Sequence, residues 1–164
     1  MVKNETNKQR ENFKIGGTIM KAITLWQPYA SLIALRFKTI ETRTWNISYR
    51  GELVIHASKK IIPFDNLFQD LNETQRLVIM HTIKSMYGDY NNMPVGAIIA
   101  KCKLISTVRT ENIRDRLNTI EKACGDYTDG RYAWLLSDIT PLEKPVSVKG
   151  KQGLWNWEVS QNAQ

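Results

Sequence analysis

KAITLWQPYASLIALRFKTIETRTWNISYRGELVIHA, residues 21–57, carries strand, helix and turn signals in one short run. Lys21 to Leu25 is short and β-branched, which predicts a strand. Pro28 then stands where a helix can begin, because its missing N–H costs nothing in a first turn. Tyr29, Leu32, Ile33 and Leu35 form an apolar helical stripe, so the helix should end near Arg36 or Phe37. Thr39 to Trp45 (TIETRTW) reads as a second strand, rich in Thr and Ile. Residues 46–51 form a turn region, and Glu52 to Ala57 (ELVIHA) reads as a third strand.

Outward from this stretch, residues 1–19 are polar and close on Gly16 and Gly17. They read as a disordered tail or a cloning remnant, and the folded unit is expected over 20–160. Downstream, Asn72 is placed to cap a helix, with Gln75 at the capping-box position and Gly88 as the stop. Val95 to Thr107 (VGAIIAKCKLIST) is the longest apolar β run and predicts a central strand. A short helix is expected over 112–122, and strands over 131–136 and 154–159. Five or six short strands with two or three helices, without regular βαβ alternation, predict an α+β fold built on a closed or nearly closed mixed sheet.

A chain of 164 residues suffices for one core. No run approaches the ~20 apolar residues of a spanning helix, and the start lacks the apolar core of a secretory signal. A cytoplasmic location is expected. Cys102 and Cys124 have no paired spacing and read as thiols, Cys102 as a buried one. His56 and His81 stand alone, so neither a metal site nor a cofactor is expected. The formal net charge of +7 favours anionic partners. No basic amphipathic helix is evident, which disfavours a membrane surface.

The candidate site lies in Leu25 to Lys60. If Thr39 to Trp45 is extended, Glu41, Arg43 and Trp45 share one face, and Lys38 leans over the same edge. In the next strand Leu53, Ile55 and Ala57 face one way, and Glu52, Val54 and His56 the other. An ion pair between Glu41 and Arg43, with Trp45 plugging the sheet, is the purely structural interpretation. The functional one is a pocket for a base and a phosphate. Arg43 and Arg50 offer planar forks to phosphate or base edges. Lys59 and Lys60 add charge along a backbone track, and Trp45 or Tyr49 offers a stacking surface. Such a mixture of basic and aromatic groups suits single-stranded or looped RNA.

The ordered residues Lys21-Ala22-Ile23-Thr24-Leu25-Trp26-Gln27-Pro28-Tyr29-Ala30-Ser31-Leu32 resemble the opening of the ASCH domain family. So do Lys38-Thr39-Ile40-Glu41-Thr42-Arg43-Thr44-Trp45, Tyr49-Arg50-Gly51-Glu52-Leu53 and Ile55-His56-Ala57-Ser58. Pro94 to Ile99, Tyr132-Ala133-Trp134 and Lys149 to Trp155 are similar to its later strands. The resemblance implies a PUA-like mixed β-barrel of five or six strands with two or three flanking helices. It also implies a cleft for RNA or another nucleic acid between the barrel and the first helix. Trp26, Gln27, Lys38, Arg43, Trp45, Tyr49, Arg50, Lys59 and Lys60 are the expected binding residues.

Some bacterial members of the family are hydrolases, and the resemblance carries that alternative too. One branch removes an acyl group from modified cytidine through a lysine, a threonine and a glutamate, and ribonuclease activity is a further possibility. That lysine matches Lys38, but Glu41 stands where the branch has threonine. A neighbouring carboxylate favours Lys38 as an anchored cation over a free amine. On this alternative Lys38, Glu41 and His56 are the catalytic candidates, His56 as a proton shuttle. A protein-interaction module is the remaining alternative, with Trp155 and Trp157 as anchors. Packing of the terminal strand explains those two indoles as well.

Overall fold

The structure, a computed structural model, describes residues 18–159. Most of the expected tail therefore lies outside the described residues. The first strand, β1, spans Ile19–Gln27 and so begins just inside the segment expected to be tail. Its side chains alternate between the two sheet faces, as a half-buried strand requires. Ala22 packs on one face, whereas Ile23 and Leu25 enter the main core on the other.

Helix α1 (Tyr29–Ala34) follows directly, and five of its six residues are buried. It stops at Arg36, whose positive φ of 62° breaks the helical path. The Arg36 guanidinium holds that corner by donating to the Ile139 carbonyl at 3.0 and 3.1 Å. Strand β2 covers only Ile40–Arg43, because the chain bends at Thr44 and Trp45. Strand β3 (Gly51–Ile61) runs past the expected end at Ala57 and carries Lys59 and Lys60 on its last turn of pleat.

Helix α2 (Glu73–Tyr87) has the cap its sequence predicts. The Asn72 side chain accepts from Gln75 N at 2.9 Å, and Gln75 Oε1 accepts from Asn72 N at 3.2 Å. Strand β4 (Ala97–Arg109) is central. The segment expected to be one helix over 112–122 divides into a 3₁₀ turn at Arg114–Arg116 and the short helix α3 (Thr119–Ala123). Strand β5 (Tyr132–Ser147) is much longer than its apolar start. Its register against β4 slips three times, which accommodates Pro141 and Pro145 in an edge-like stretch. Strand β6 (Leu154–Glu158) ends the fold.

The six strands form one mixed sheet in the order β2-β5-β4-β3-β1-β6. Only β1 and β3 run parallel, with α1 and β2 in the crossover between them. Of the expected closed or nearly closed sheet, the structure shows the unclosed form: among the described residues β2 and β6 share no ladder. Leu53, Ile55 and Ala57 face the main core with Trp134, while Val54 lies on the opposite face under Trp155 and Trp157. Both indoles are 7% exposed, so they pack the terminal strand and are not free anchors. No helix among the described residues is long and apolar enough to cross a membrane.

Candidate functional site

The open seam of the sheet creates two neighbouring hollows, separated by Arg43. At the C-terminal end of β1, β6 no longer pairs, since its ladder begins at Ile23 and Leu154. The Thr24 carbonyl beyond that point accepts from Arg43 Nη2 at 3.2 Å. Arg43 thus bridges β2 to β1 where backbone pairing has ended. Thr24, Trp26 and Arg43 line both hollows.

The first hollow, about 370 Å³, lies beside α1. Lys38 is 1% exposed there. Its Nζ donates to the Ile40 carbonyl and sits 3.3 Å from Glu41 Oε2. The other oxygen of Glu41 lies 3.1 Å from Arg43 Nε. One carboxylate therefore serves two cations, which is how a buried charge becomes tolerable. Asp126 and Arg131 form a second pair at 3.3 Å on the rim. Burial raises the pKa of the Tyr29 phenol, with Glu41, Cys124 and Asp126 adding to the rise. Burial likewise pushes the Cys124 thiol up to about 12.

Glu121 fixes the corner that places Lys38. It is 4% exposed and accepts from Thr39 N at 2.7 Å, Thr39 Oγ1 at 2.9 Å and Ile40 N at 3.3 Å. Tyr127 OH donates to the same carboxylate at 3.1 Å. Sequence reasoning misses this residue, because Glu121 is far along the chain and sits in an ordinary charged helix.

The second hollow is a larger cleft of about 1080 Å³ on the face opposite the main core. Trp26, His56, Ser58 and Lys59 supply one wall, and the loop from Ser147 to Gly153 supplies the other. Arg43, Lys59, Lys149 and Lys151 all line it, and among the described residues no carboxylate does. Trp26 is 49% exposed at the rim, with Lys60 Nζ 3.4 Å above its ring centroid. Lys149 and Lys151 were not among the expected residues. Their signal is legible in KGKQG, two lysines alternating with glycines just before the last strand.

His56 forms part of the cleft floor. Its Nε2 is 2.9 Å from the Val148 carbonyl, which makes Nε2–H the donor. Nδ1 is buried and has no partner. Burial of the ring lowers the His56 pKa below its usual value, and the Val148 contact opposes that only in part. Gly150 rests on the ring edge: a Cβ there would stand 2.4 Å from His56 Cε1 and 2.6 Å from Nδ1. Only glycine lets the loop lie this close.

Of the expected site residues, the structure gathers Trp26, Lys38, Glu41, Arg43, His56, Lys59 and Lys60 around the two hollows. Gln27 is placed inside the protein, with its amide bonded to Ser31 and to the Pro94 carbonyl. Trp45 packs edge-on against Trp134 at 4.8 Å, on the core side. Tyr49 OH donates to the Glu52 carbonyl at 2.6 Å. Arg50 donates to Ile47 O, Tyr49 O and Thr107 Oγ1. These last two residues stand at the start of β3, roughly 30 Å of extended chain from Lys59. Among the described residues, no three His, Cys, Asp or Glu side chains converge as metal ligands would.

The chain is similar to activating signal cointegrator 1 of Homo sapiens and of Mus musculus, at 22% identity over 147 residues in each case. That alignment covers 90% of this chain and 24% of either relative, so the chain spans about a quarter of the length of the curated relatives it matches. A crystal structure of ASCH from Zymomonas mobilis superposes with a TM-score of 0.49 at 16% identity, covering 88% of this chain and 90% of that one. A mutant of the same protein gives 0.48 at 17% identity, covering 87% and 89%. The ASCH domain model matches residues 23–145, from the core face of β1 to the far end of β5. Five of the six strands, α1 and both hollows fall within or against that span, and the chain belongs to the ASCH domain family of the PUA-like superfamily.

Proposed function

We propose that the chain is a nucleic-acid-binding module, with RNA as its preferred ligand, and that the ligand lies in the cleft between the end of β1 and the loop over Ser147 to Gly153. The observation that carries this reading is the charge of that cleft: Lys59, Lys149 and Lys151 line it together with Arg43, no carboxylate lines it among the described residues, and of these four cations Arg43 alone is ion-paired there, to Glu41. An anionic polymer is the partner such a field attracts. Trp26 adds an exposed ring at the rim, and base stacking on such a ring is worth ~1–3 kcal/mol. The buried thiols Cys102 and Cys124, both free, accord with a cytoplasmic setting.

The test is a salt titration with single-stranded RNA. The logarithm of affinity should fall against the logarithm of salt concentration, with a slope of about −0.7 for each phosphate contacted. Replacing Lys149 and Lys151 by alanine should shallow that slope. Affinity indifferent to salt, or unchanged in the double variant, removes the reading.

A second reading is a small hydrolase, of the amidohydrolase or ribonuclease type, acting in the hollow beside α1. It is favoured by two buried charged side chains, Lys38 and Glu41, facing one recess. The Lys38 ammonium is presented there as a donor to Ile40 O and Glu41, so a base role would require that proton to leave first. Release of acetate from N4-acetylcytidine, abolished in Lys38→Ala, supports this reading; no turnover of that substrate or of RNA removes it.

A further inference from the structure

The floor of the basic cleft holds an unused donor and an unused acceptor side by side. Thr24 and His56 are register partners on the parallel strands β1 and β3. Thr24 Oγ1 accepts from Trp155 Nε1 at 3.1 Å, which leaves its own O–H to donate. Among the described residues that hydroxyl meets no acceptor. His56 is committed at Nε2 to the Val148 carbonyl, so Nδ1 is an acceptor, buried and unpartnered. Leaving such an atom unpaired forfeits the hydrogen bonds it would make to water. A native structure that bears this cost at a cleft floor invites a ligand group to satisfy it.

Gly150 covers both atoms. A Cβ at this position would lie 2.6 Å from His56 Nδ1 and 2.9 Å from Thr24 Oγ1. What rests on the pair is therefore a bare α-carbon, which satisfies neither group. It belongs to a loop without regular structure whose lysines point to the same cleft.

We infer that Thr24 and His56 form a base-reading pair, which binds the Watson–Crick edge of a single nucleobase while Lys59, Lys149 and Lys151 hold the attached phosphate. Each base presents an N–H or amino donor beside a ring or carbonyl acceptor on that edge. The donor meets His56 Nδ1, and the acceptor meets the Thr24 hydroxyl. The base takes the place of the Gly150 α-carbon, and the loop lifts by the thickness of that contact. The cleft's volume of about 1080 Å³ accommodates a nucleotide with its phosphate. This inference rests on the nucleic-acid reading and adds to it that one base is taken out of the strand and read by its edge.

The experiment uses the full chain with AMP, CMP, GMP and UMP, and with ribose 5-phosphate as the baseless control. At least one nucleotide should bind about tenfold tighter than ribose 5-phosphate, the equivalent of a good hydrogen bond. In ¹⁵N-labelled protein the His56 Nδ1 resonance should move upfield with that nucleotide and stay in place with ribose 5-phosphate. His56→Phe, which keeps a ring over Trp155, should bring the nucleotide to the affinity of the control. If RNA binds with the expected salt slope but His56 Nδ1 does not move and nucleotides bind no better than ribose 5-phosphate, the base-reading pair is wrong and the binding module stands. If a peptide amide such as N-acetylglycine amide moves Nδ1 and the nucleotides do not, the pair reads amides and the inference is overturned. Absence of any RNA binding overturns both.

Discussion

The two hollows on either side of Arg43 use similar residues for opposite ends. Beside α1, Lys38 and Arg43 converge on one carboxylate, and the recess is close to electrically balanced. On the other side, Lys59, Lys149 and Lys151 line a cleft that no carboxylate lines among the described residues. The first arrangement is what a protein builds when it must bury charge, since an unpaired buried ion is far more costly than a paired one. The second is affordable only in contact with water or with an anion. On the proposed nucleic-acid reading, one hollow serves folding and the other recognition, and the contrast can be broken one variant at a time.

The largest effect belongs to the balanced side. Glu41→Gln keeps the shape but strips Lys38 and Arg43 of their shared counter-ion. Loss of one partner of a buried pair is expected to lower stability by about 3–5 kcal/mol, read from denaturant unfolding. A change below measurement would mean that Lys38 is not held by that carboxylate. Next comes Gly150→Ala. Its Cβ would collide with the His56 ring, a stiff neighbour that cannot fold away. Overpacking of this kind costs about 1–3 kcal/mol or drives the loop outward, so the expected result is a lower melting temperature together with weaker RNA binding.

On the open side, Lys149→Ala with Lys151→Ala should leave stability within about 0.5 kcal/mol of the parent, as exposed substitutions do. Affinity for RNA should fall while Glu41→Gln, measured where it is folded, retains it. The smallest effect is a pH dependence. Burial holds His56 below its usual value of about 6.5, so between the two values the unfolded chain binds the extra proton. Stability from neutral His56 is full above about 6.5 and declines as pH falls toward the lowered folded value. Melting curves across this window should slope in the parent and flatten in His56→Phe.

Much of the fold was legible because local signals agreed with it. Asn72, Gln75 and Gly88 bounded α2 at the positions where the structure bounds it, since capping is a short-range contract between neighbouring backbone groups. The alternation of Leu53, Ile55 and Ala57 against Val54 and His56 also survived. The extent of β5 was not legible. Its second half carries prolines that a strand accepts only through slipped register, and those slips depend on β4.

The site divides in the same way. Lys38, Glu41 and Arg43 lie close in sequence, and their shared face follows from strand pleating. Tyr49 and Arg50 lie almost as close, yet β3 carries the site away from them to its other end. The loop from Ser147 to Gly153 joins the cleft through pairing at Val148 N and Gly96 O, a contact between distant segments that no spacing reveals. Glu121 reaches the Lys38 corner in the same long-range manner.

A residue-by-residue map of backbone amide shifts, recorded as single-stranded RNA is titrated into the protein, separates the two hollows most directly. Changes should gather at Thr24, His56, Lys59 and Lys149 to Gly153. Changes confined to Lys38, Glu41, Cys124 and Gly125 would place the ligand in the balanced recess and contradict the assignment.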